Sequence, residues 1–382
     1  MERNKNLEEI VKKLDITETM RLNAIEKYEA IARDLNELGI EVEIYPQGSF
    51  AIGTVTRPYK NGRDQEYDLD FICQEIGKRK SMNPKEVKKI IEETLKKHGR
   101  TVIEDNTCWK VEYAEVTEKL GFKIDVVPAV DEDEDKKAML VFKNVNPEYA
   151  KDAIAITCTS DFESYNWGAG NAKGYTAWFN DINKPFLDKA VNKKSMEIRC
   201  SIEEIPEIDK KSSLQRVIQI LKRHRDIHFD RTNSKKTDSS VITTLVAEIA
   251  KGFNSDTSIM ELLEFVILNL ERSSEYLKND YAQIEGVALI KKDRKWYLSN
   301  PVNPDNNLVS AWTNEDAKAF FDWIRILRQD LLETKVEDID GYYAAMKNAF
   351  GNEFIDRNLE SFTFIKRRPS TTITETSKPW RS

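Results

Sequence analysis

Asp68 and Asp70 stand two residues apart in Glu66-Tyr67-Asp68-Leu69-Asp70-Phe71-Ile72-Cys73, a stretch with the composition of a strand. Side chains two apart on a strand share a face, so both carboxylates emerge together while Tyr67, Leu69 and Phe71 pack on the other side. Two carboxylates held side by side in an apolar strand repel each other unless a cation sits between them. With oxygen as the only donor, the fitting cation is Mg²⁺ or Mn²⁺. Such a pair also occurs on ordinary solvated strand faces, so alone it decides nothing. Asp125 supplies a third carboxylate. It lies in Phe122-Lys123-Ile124-Asp125-Val126-Val127, where Phe122, Ile124 and Val126 face one way and Lys123, Asp125 and Val127 the other. An Asp among β-branched residues is costly unless something satisfies it. Placed beside the first strand, it completes a site for two metals about 4 Å apart that activate a hydroxyl and steady a leaving phosphate. Gly48-Ser49 follows a strand upstream. Glycine lets backbone N–H groups approach a phosphate, and the Ser hydroxyl adds a donor at a helix start. As a dipeptide it is merely a turn. In the order strand, Gly-Ser, strand with two Asp, strand with one Asp, the three signals reinforce one another.

The elements that position these residues are readable around them. The first ~40 residues read as helix, with Asp15 and Glu18 as a capping box. Ile25, Tyr28, Ile31, Leu35 and Leu38 form a stripe at helical spacing, and Gly39 ends it. Ile40, Val42 and Ile44 alternate with polar neighbours as a strand that Pro46-Gln47-Gly48-Ser49 breaks. After the Asp68 strand, Asn83 as N-cap with Pro84 and Glu86 opens a helix that Gly99 closes. Residues 101–116 look like strands, and the Asp125 strand should stop at Pro128. From about 205 onward apolar stripes indicate helices near 212–229, 239–251, 257–278, 315–334 and 338–349. Residues 300–307 read as a turn-rich connector. The expected fold is α+β: a catalytic region over 1–204 built on a mixed sheet, a helical region over 205–365, and a tail over 366–382.

Composition narrows the classes. The chain has 382 residues, hydrophobic residues make up 40% and charged residues 33%, which suits two domains of ~150 residues or more with a sizeable core. No apolar run reaches the ~18 residues of a membrane span, and the start lacks a signal peptide's apolar stretch, so a cytoplasmic protein is expected. Cys73, Cys108, Cys158 and Cys200 never come within CxxC spacing. A net charge of −7 argues against a protein that grips long nucleic acid by its overall field. Lys222, Arg223, Arg225, Arg231, Lys235 and Lys236 form one dense basic patch, and Asp131-Glu132-Asp133-Glu134-Asp135 is expected to be a solvated loop.

The ordered set Gly48-Ser49, Asp68-x-Asp70 and Asp125 resembles the polymerase-β-type nucleotidyltransferases. Gln47-Gly48-Ser49-Phe50-Ala51-Ile52-Gly53-Thr54, Tyr67-Asp68-Leu69-Asp70-Phe71, the segment 171–179 and the segment 214–226 further resemble the bacterial cyclic-oligonucleotide synthases related to cyclic GMP–AMP synthase, the CD-NTases of anti-phage (CBASS) signalling. The resemblance spans roughly residues 20–330. It implies a polymerase-β-like core followed by a helical lobe, two Mg²⁺ (or Mn²⁺) ions held by Asp68, Asp70 and Asp125, and a donor triphosphate held by Gly48 and Ser49. A family Lys and a family Ser that reach the same triphosphate fall at Lys222 and Ser239. Their chemistry agrees, a point charge for phosphate and an N-cap at a helix start, although Lys222 also fits an exposed basic helix, Ser239 a plain cap, and Ser240 the same place. Implied substrates are NTPs, ATP among them, and the implied product is a cyclic di- or trinucleotide. A regulatory partner at the C-terminal tail, which carries Trp380, is also implied.

Other features weigh less. His224 and His228 have the spacing of a zinc helix, but Arg225 replaces the required Glu. Gly168, Gly170 and Gly174 do not keep a dinucleotide-fold spacing. Trp167, Tyr175 and Trp178 could stack on a base or simply fill a core. Two rivals share the same residues: a nucleotidyltransferase acting on RNA, a protein or a small molecule, and a degenerate nucleotide-binding scaffold.

Overall fold

The computed structural model describes residues 2–37, 41–65, 67–112, 122–160, 164–187, 211–254 and 257–358. Leu38, Gly39, Ile40, the 204/205 boundary and the tail with Trp380 lie outside the described residues. In chain order, α1 (Glu2–Lys12) and α2 (Glu18–Asn36) precede β1 (Val42–Pro46), the single turn α3 (Gly48–Ala51) and a hairpin of β2 (Tyr59–Lys60) and β3 (Arg63–Asp64). Then come β4 (Tyr67–Lys78), α4 (Pro84–Lys97), β5 (Thr101–Glu104), β6 (Trp109–Glu112), β7 (Phe122–Asp131), α5 (Glu134–Phe142), α6 (Pro147–Ala150), β8 (Ile154–Thr159), β9 (Tyr165–Gly170) and α7 (Ala172–Asn183). The C-terminal region is chiefly helical: α8 (Ser213–Thr232), α9 (Ser239–Ala250), α10 (Ile259–Arg272), α11 (Asn314–Arg328), α12 (Ile339–Phe350) and α13 (Asn352–Arg357). Between α10 and α11 lie two small hairpins, β10 (Ile290–Lys292) with β11 (Lys295–Tyr297) and β12 (Ser299–Asn300) with β13 (Asn303–Asn307).

The sheet is mixed. Its order is β1-β4-β7-β6-β5, and β8 extends from the far half of β7 to β9. β4 and β7 run parallel, with Leu69 opposite Ile124, Asp70 opposite Asp125 and Phe71 opposite Val126. Alternation then sorts the two faces. Leu69, Phe71, Ile124 and Val126 are fully buried beneath α2 and α4, each burial contributing ~1.5–3 kcal/mol. Tyr28 of α2 meets Phe71 edge-on at 5.3 Å and donates its hydroxyl hydrogen to the Ile44 carbonyl. That apolar contact clamps one face and leaves the Asp70–Asp125 face open.

Several expectations are corrected. The cap of α2 is Thr17, whose hydroxyl accepts from the Met20 N–H; Asp15 instead pairs with Lys211 and Arg216. β7 runs through Pro128, which lies where pairing on one flank passes from β6 to β8, a natural break in the ladder. The acidic run is no solvated loop. Glu132 and Asp133 are buried, Glu132 taking an ion pair from Arg79 at 2.9 Å and Asp133 opening α5. Residues 300–307 are mostly hairpin rather than connector. The Asn61-Gly62 turn, with both φ positive, closes β2 on β3 as the two-residue hairpins of that dipeptide do. No described helix is long and apolar enough to cross a membrane.

Candidate active site

β4 and β7 present Asp70 and Asp125 as direct parallel neighbours, so their carboxylates share a face across one inter-strand spacing. Asp68 stands two residues earlier on β4, opposite Lys123; its side chain lies outside the described residues. Above this floor the chain turns at Gly48, whose φ of +62° is in the left-handed region. The turn is hooked to β4 by the Gln47 N–H, which donates to the Asp70 carbonyl at 2.9 Å. A Cβ on Gly48 would come 3.4 Å from Asp70 Oδ2. The Gly-Ser turn therefore rests directly on the carboxylate.

Gly48, Ser49 and Asp70 open into a cleft of ≈ 550 Å³ whose opposite wall is α8 and α9. Lys222, Ser239 and Ser240 line it. Lys222 is buried on α8, and its Nζ donates to the Thr54 hydroxyl at 2.9 Å. Burial pulls its pKa down to about 7, and the neighbouring Arg225 guanidinium adds to the fall. It is not a member of an exposed basic face. Ser239 is the first residue of α9 rather than its cap, which is Asp238, and its hydroxyl accepts from Arg225 Nη1 at 2.9 Å. The expected basic patch is largely dismantled by packing. Arg223 is buried between the rings of Tyr59 and Phe354 and pairs with Asp64 at 2.7 Å, while Arg225 is committed to Asp226 and the Thr237 carbonyl.

Cys108 was unmarked by any spacing, yet its thiol hydrogen-bonds Asp125 and is pushed up to about 12 by burial and then by the Asp125 charge. Among the described residues no group of three or more His, Cys, Asp or Glu is placed to hold a metal ion, and the Asp68 carboxylate that would make a third lies outside them. Asp70 and Asp125, adjacent and acting through oxygen, fit hard divalent cations. His224 is no metal ligand: its Nδ1 accepts from Trp323 Nε1 at 3.0 Å, and its Nε2 faces Asp330 at 3.2 Å. Of the three aromatics, Tyr175 lines the cleft with its hydroxyl shared with Thr244, Trp178 packs behind it at 5.0 Å, and Trp167 packs against the cluster of Val87 and Val130. Thr54, Arg225, Asp226, Lys236 and the hairpin residues Asn300 and Asn306 also line the cleft or buttress its wall. Thr54 and Arg225-Asp226 lay inside the motif segments; the hairpin residues fell in the stretch 300–307, which reads as a turn-rich connector and carries no sign of a site.

Sheet and helical region recur together in solved structures. The CD-NTase CdnG of Bradyrhizobium diazoefficiens, in complex with GTP, superposes with a TM-score of 0.65 at 17% identity, covering 94% of this chain and 99% of that one. The cyclic AMP–GMP synthase DncV of Vibrio cholerae, holding the linear intermediate pppA(3′,5′)pG, gives 0.55 at 16% identity over 92% and 86%. At these identities the likeness speaks for the fold, that of a polymerase-β-like nucleotidyltransferase. Sequence carries it further. Residues 42–128 match the nucleotidyltransferase domain described as cyclic GMP-AMP synthase DncV-like. A c-di-GMP synthase of Roseivirga ehrenbergii is 31% identical over 353 residues, 89% of this chain and 81% of that protein. This chain belongs to that DncV-like family, the CD-NTases, and is a nucleotidyltransferase. The family uses divalent metal ions.

Proposed function

We propose that the cleft joins two molecules of GTP into cyclic di-GMP as an anti-phage second messenger, in a cytoplasmic setting. The observation that carries the chemistry is the register of Asp70 against Asp125 beneath the Gly48 turn, with Lys222 across the cleft. The similarity to a c-di-GMP synthase supports the choice of GTP over the broader NTP set. Asp68, Asp70 and Asp125 would hold two Mg²⁺ ions, which when bound supply Lewis-acid polarisation of phosphate and hydroxyl oxygens. Gly48, Ser49, Lys222 and Ser239 hold the donor triphosphate so that its α-phosphorus sits over the carboxylate floor. The acceptor's 2′ or 3′ hydroxyl attacks in line, its O–P bond forming as the bond to pyrophosphate breaks and its proton passing to solvent. The Lys222 ammonium neutralises the departing pyrophosphate. A second transfer within the linear dinucleotide closes the ring. A protein partner is part of this proposal, supported by the structure of the Escherichia coli CdnC:HORMA complex, which matches at a TM-score of 0.59 and 12% identity over 92% of this chain and 98% of that one; the tail segment 366–382 is the part of this chain we assign to it.

The reading is tested by Asp70→Asn and Asp125→Asn. Each is expected to slow GTP consumption by ~10³-fold or more while the thermal midpoint stays level or rises, because a repelling charge is removed. Either variant keeping a tenth of the wild-type rate would overturn it.

A further inference from the structure

The connector between α8 and α9 begins at Asn233, with φ +48°, and turns back over α8. Arg225 pins its far end, Nη1 donating to the Thr237 carbonyl at 3.0 Å and the Ser239 hydroxyl at 2.9 Å. The same guanidinium sends Nε and Nη2 to Asp226 Oδ1 at 2.8 and 2.6 Å. Lys236 Nζ lies 3.3 Å from that same oxygen. Asp226 and Lys236 both line the cleft with Lys222 and Ser239. A carboxylate 4% exposed on the wall of a triphosphate cleft is a misfit, since it repels the ligand and water cannot screen it. Arg225 is equally buried and fully engaged. Lys236 is not: its side chain is 47% exposed and held by a single ion pair, the kind of contact that contributes little by itself.

We propose that Lys236 is a further triphosphate-binding residue, parked on Asp226 in the free protein and transferred to the phosphates when a nucleoside triphosphate enters. The inference rests on the triphosphate reading of the cleft given above. A polyvalent phosphate outcompetes one carboxylate for a flexible ammonium, and the exchange does not strand Asp226, which keeps its two-fold contact with Arg225. Asp226 thus presets the position of the cation while the cleft is free of nucleotide. A monophosphate, with less charge and no chain of phosphates to reach the connector, leaves Lys236 where it is. The residue therefore contributes to discrimination between GTP and GMP.

The test measures binding of a GTP analogue with a methylene bridge between the α- and β-phosphates, and of GMP, to the full chain by calorimetry at low and moderate salt. Lys236→Ala should weaken the analogue by about tenfold and flatten its salt dependence, leave GMP within twofold, and be largely rescued by Lys236→Arg. If Lys236→Ala binds the analogue as wild type does, or loses analogue and GMP equally, Lys236 serves only to neutralise or shape the connector and the inference is overturned. If wild-type protein itself binds the analogue no tighter than GMP, the triphosphate reading fails first, a result distinct from failure of Lys236.

Discussion

Lys222 shows how far a residue's chemistry departs from its type once it is packed. Held at a pKa of about 7 by burial against 10.5 in the open chain, it is increasingly neutral above pH 7 in the free protein, whereas a bound triphosphate favours its charged form. NTP binding near pH 8 should therefore take up a proton, measurable as a buffer-dependent binding enthalpy, and affinity should fall as pH rises from 7 to 9. Lys222→Met should bind more weakly and lose the proton uptake. The stability consequence has a definite sign. Between pH 7 and 10.5 the unfolded chain binds more protons than the folded one, so the penalty of burying Lys222 is complete below that window and relaxes as pH rises through it. Gly48 yields a second expectation at this scale. An alanine there meets a left-handed φ, costing about 1 kcal/mol of stability, and sets a methyl group 3.4 Å from Asp70 Oδ2. Turnover should drop on the order of tenfold or more, out of proportion to the shift in melting. The pairing of Asp70 with Asp125 was legible because strand alternation puts every second residue on one face. The low pKa of Lys222 and the Cys108–Asp125 contact were not, since both depend on elements distant in sequence.

Among the elements, α8 works as the spine that holds the segment following the Gly48 turn. Gln215 and Gln219 donate to the carbonyls of Ile52 and Val55, Lys222 to Thr54, Arg223 to Asp64, and Asp230 accepts from the N–H groups of Asn61 and Gly62. One helix thus reads the segment from Ile52 to Asp64 turn by turn, and that segment leads straight into β4 and the aspartates. Arg223→Ala removes the buried cation from Asp64 and the donor from the Phe350 carbonyl, so it should cost roughly 3 kcal/mol. Denaturant unfolding reads the loss, and hydrogen exchange should show the β2–β3 hairpin opening before the sheet. The helix itself was visible in the apolar stripe over 212–229. Its charged residues looked like a surface patch because a sequence shows charge but not the carbonyls and carboxylates that will receive it. The Asn61-Gly62 hairpin was legible and passed over, while β10 to β13 are short, polar and rich in Asn and Lys, with no alternation to betray them.

At the scale of the whole molecule, the sheet brings Asp70 and the helical region brings Lys222, Arg225 and Lys236 to the lining of one cleft, so groups of both signs meet there. α1 packs on α8 and α10 with Leu7, Ile10 and Val11 in the large helical core, so the first helix of the chain steadies the wall that carries Lys222. The passage from sheet-forming segments to helical ones along the chain was readable in the change of periodicity, whereas the return of the N-terminus to the far core was not, because nothing local signals a contact 200 residues away. The identity of the product decides what the molecule does. Purified protein incubated with GTP and Mg²⁺, treated with phosphatase and analysed by mass, should yield a phosphatase-resistant cyclic di-GMP as its main product. A ladder of linear, phosphatase-sensitive oligomers, or no product from GTP alone or from all four NTPs together, would contradict it.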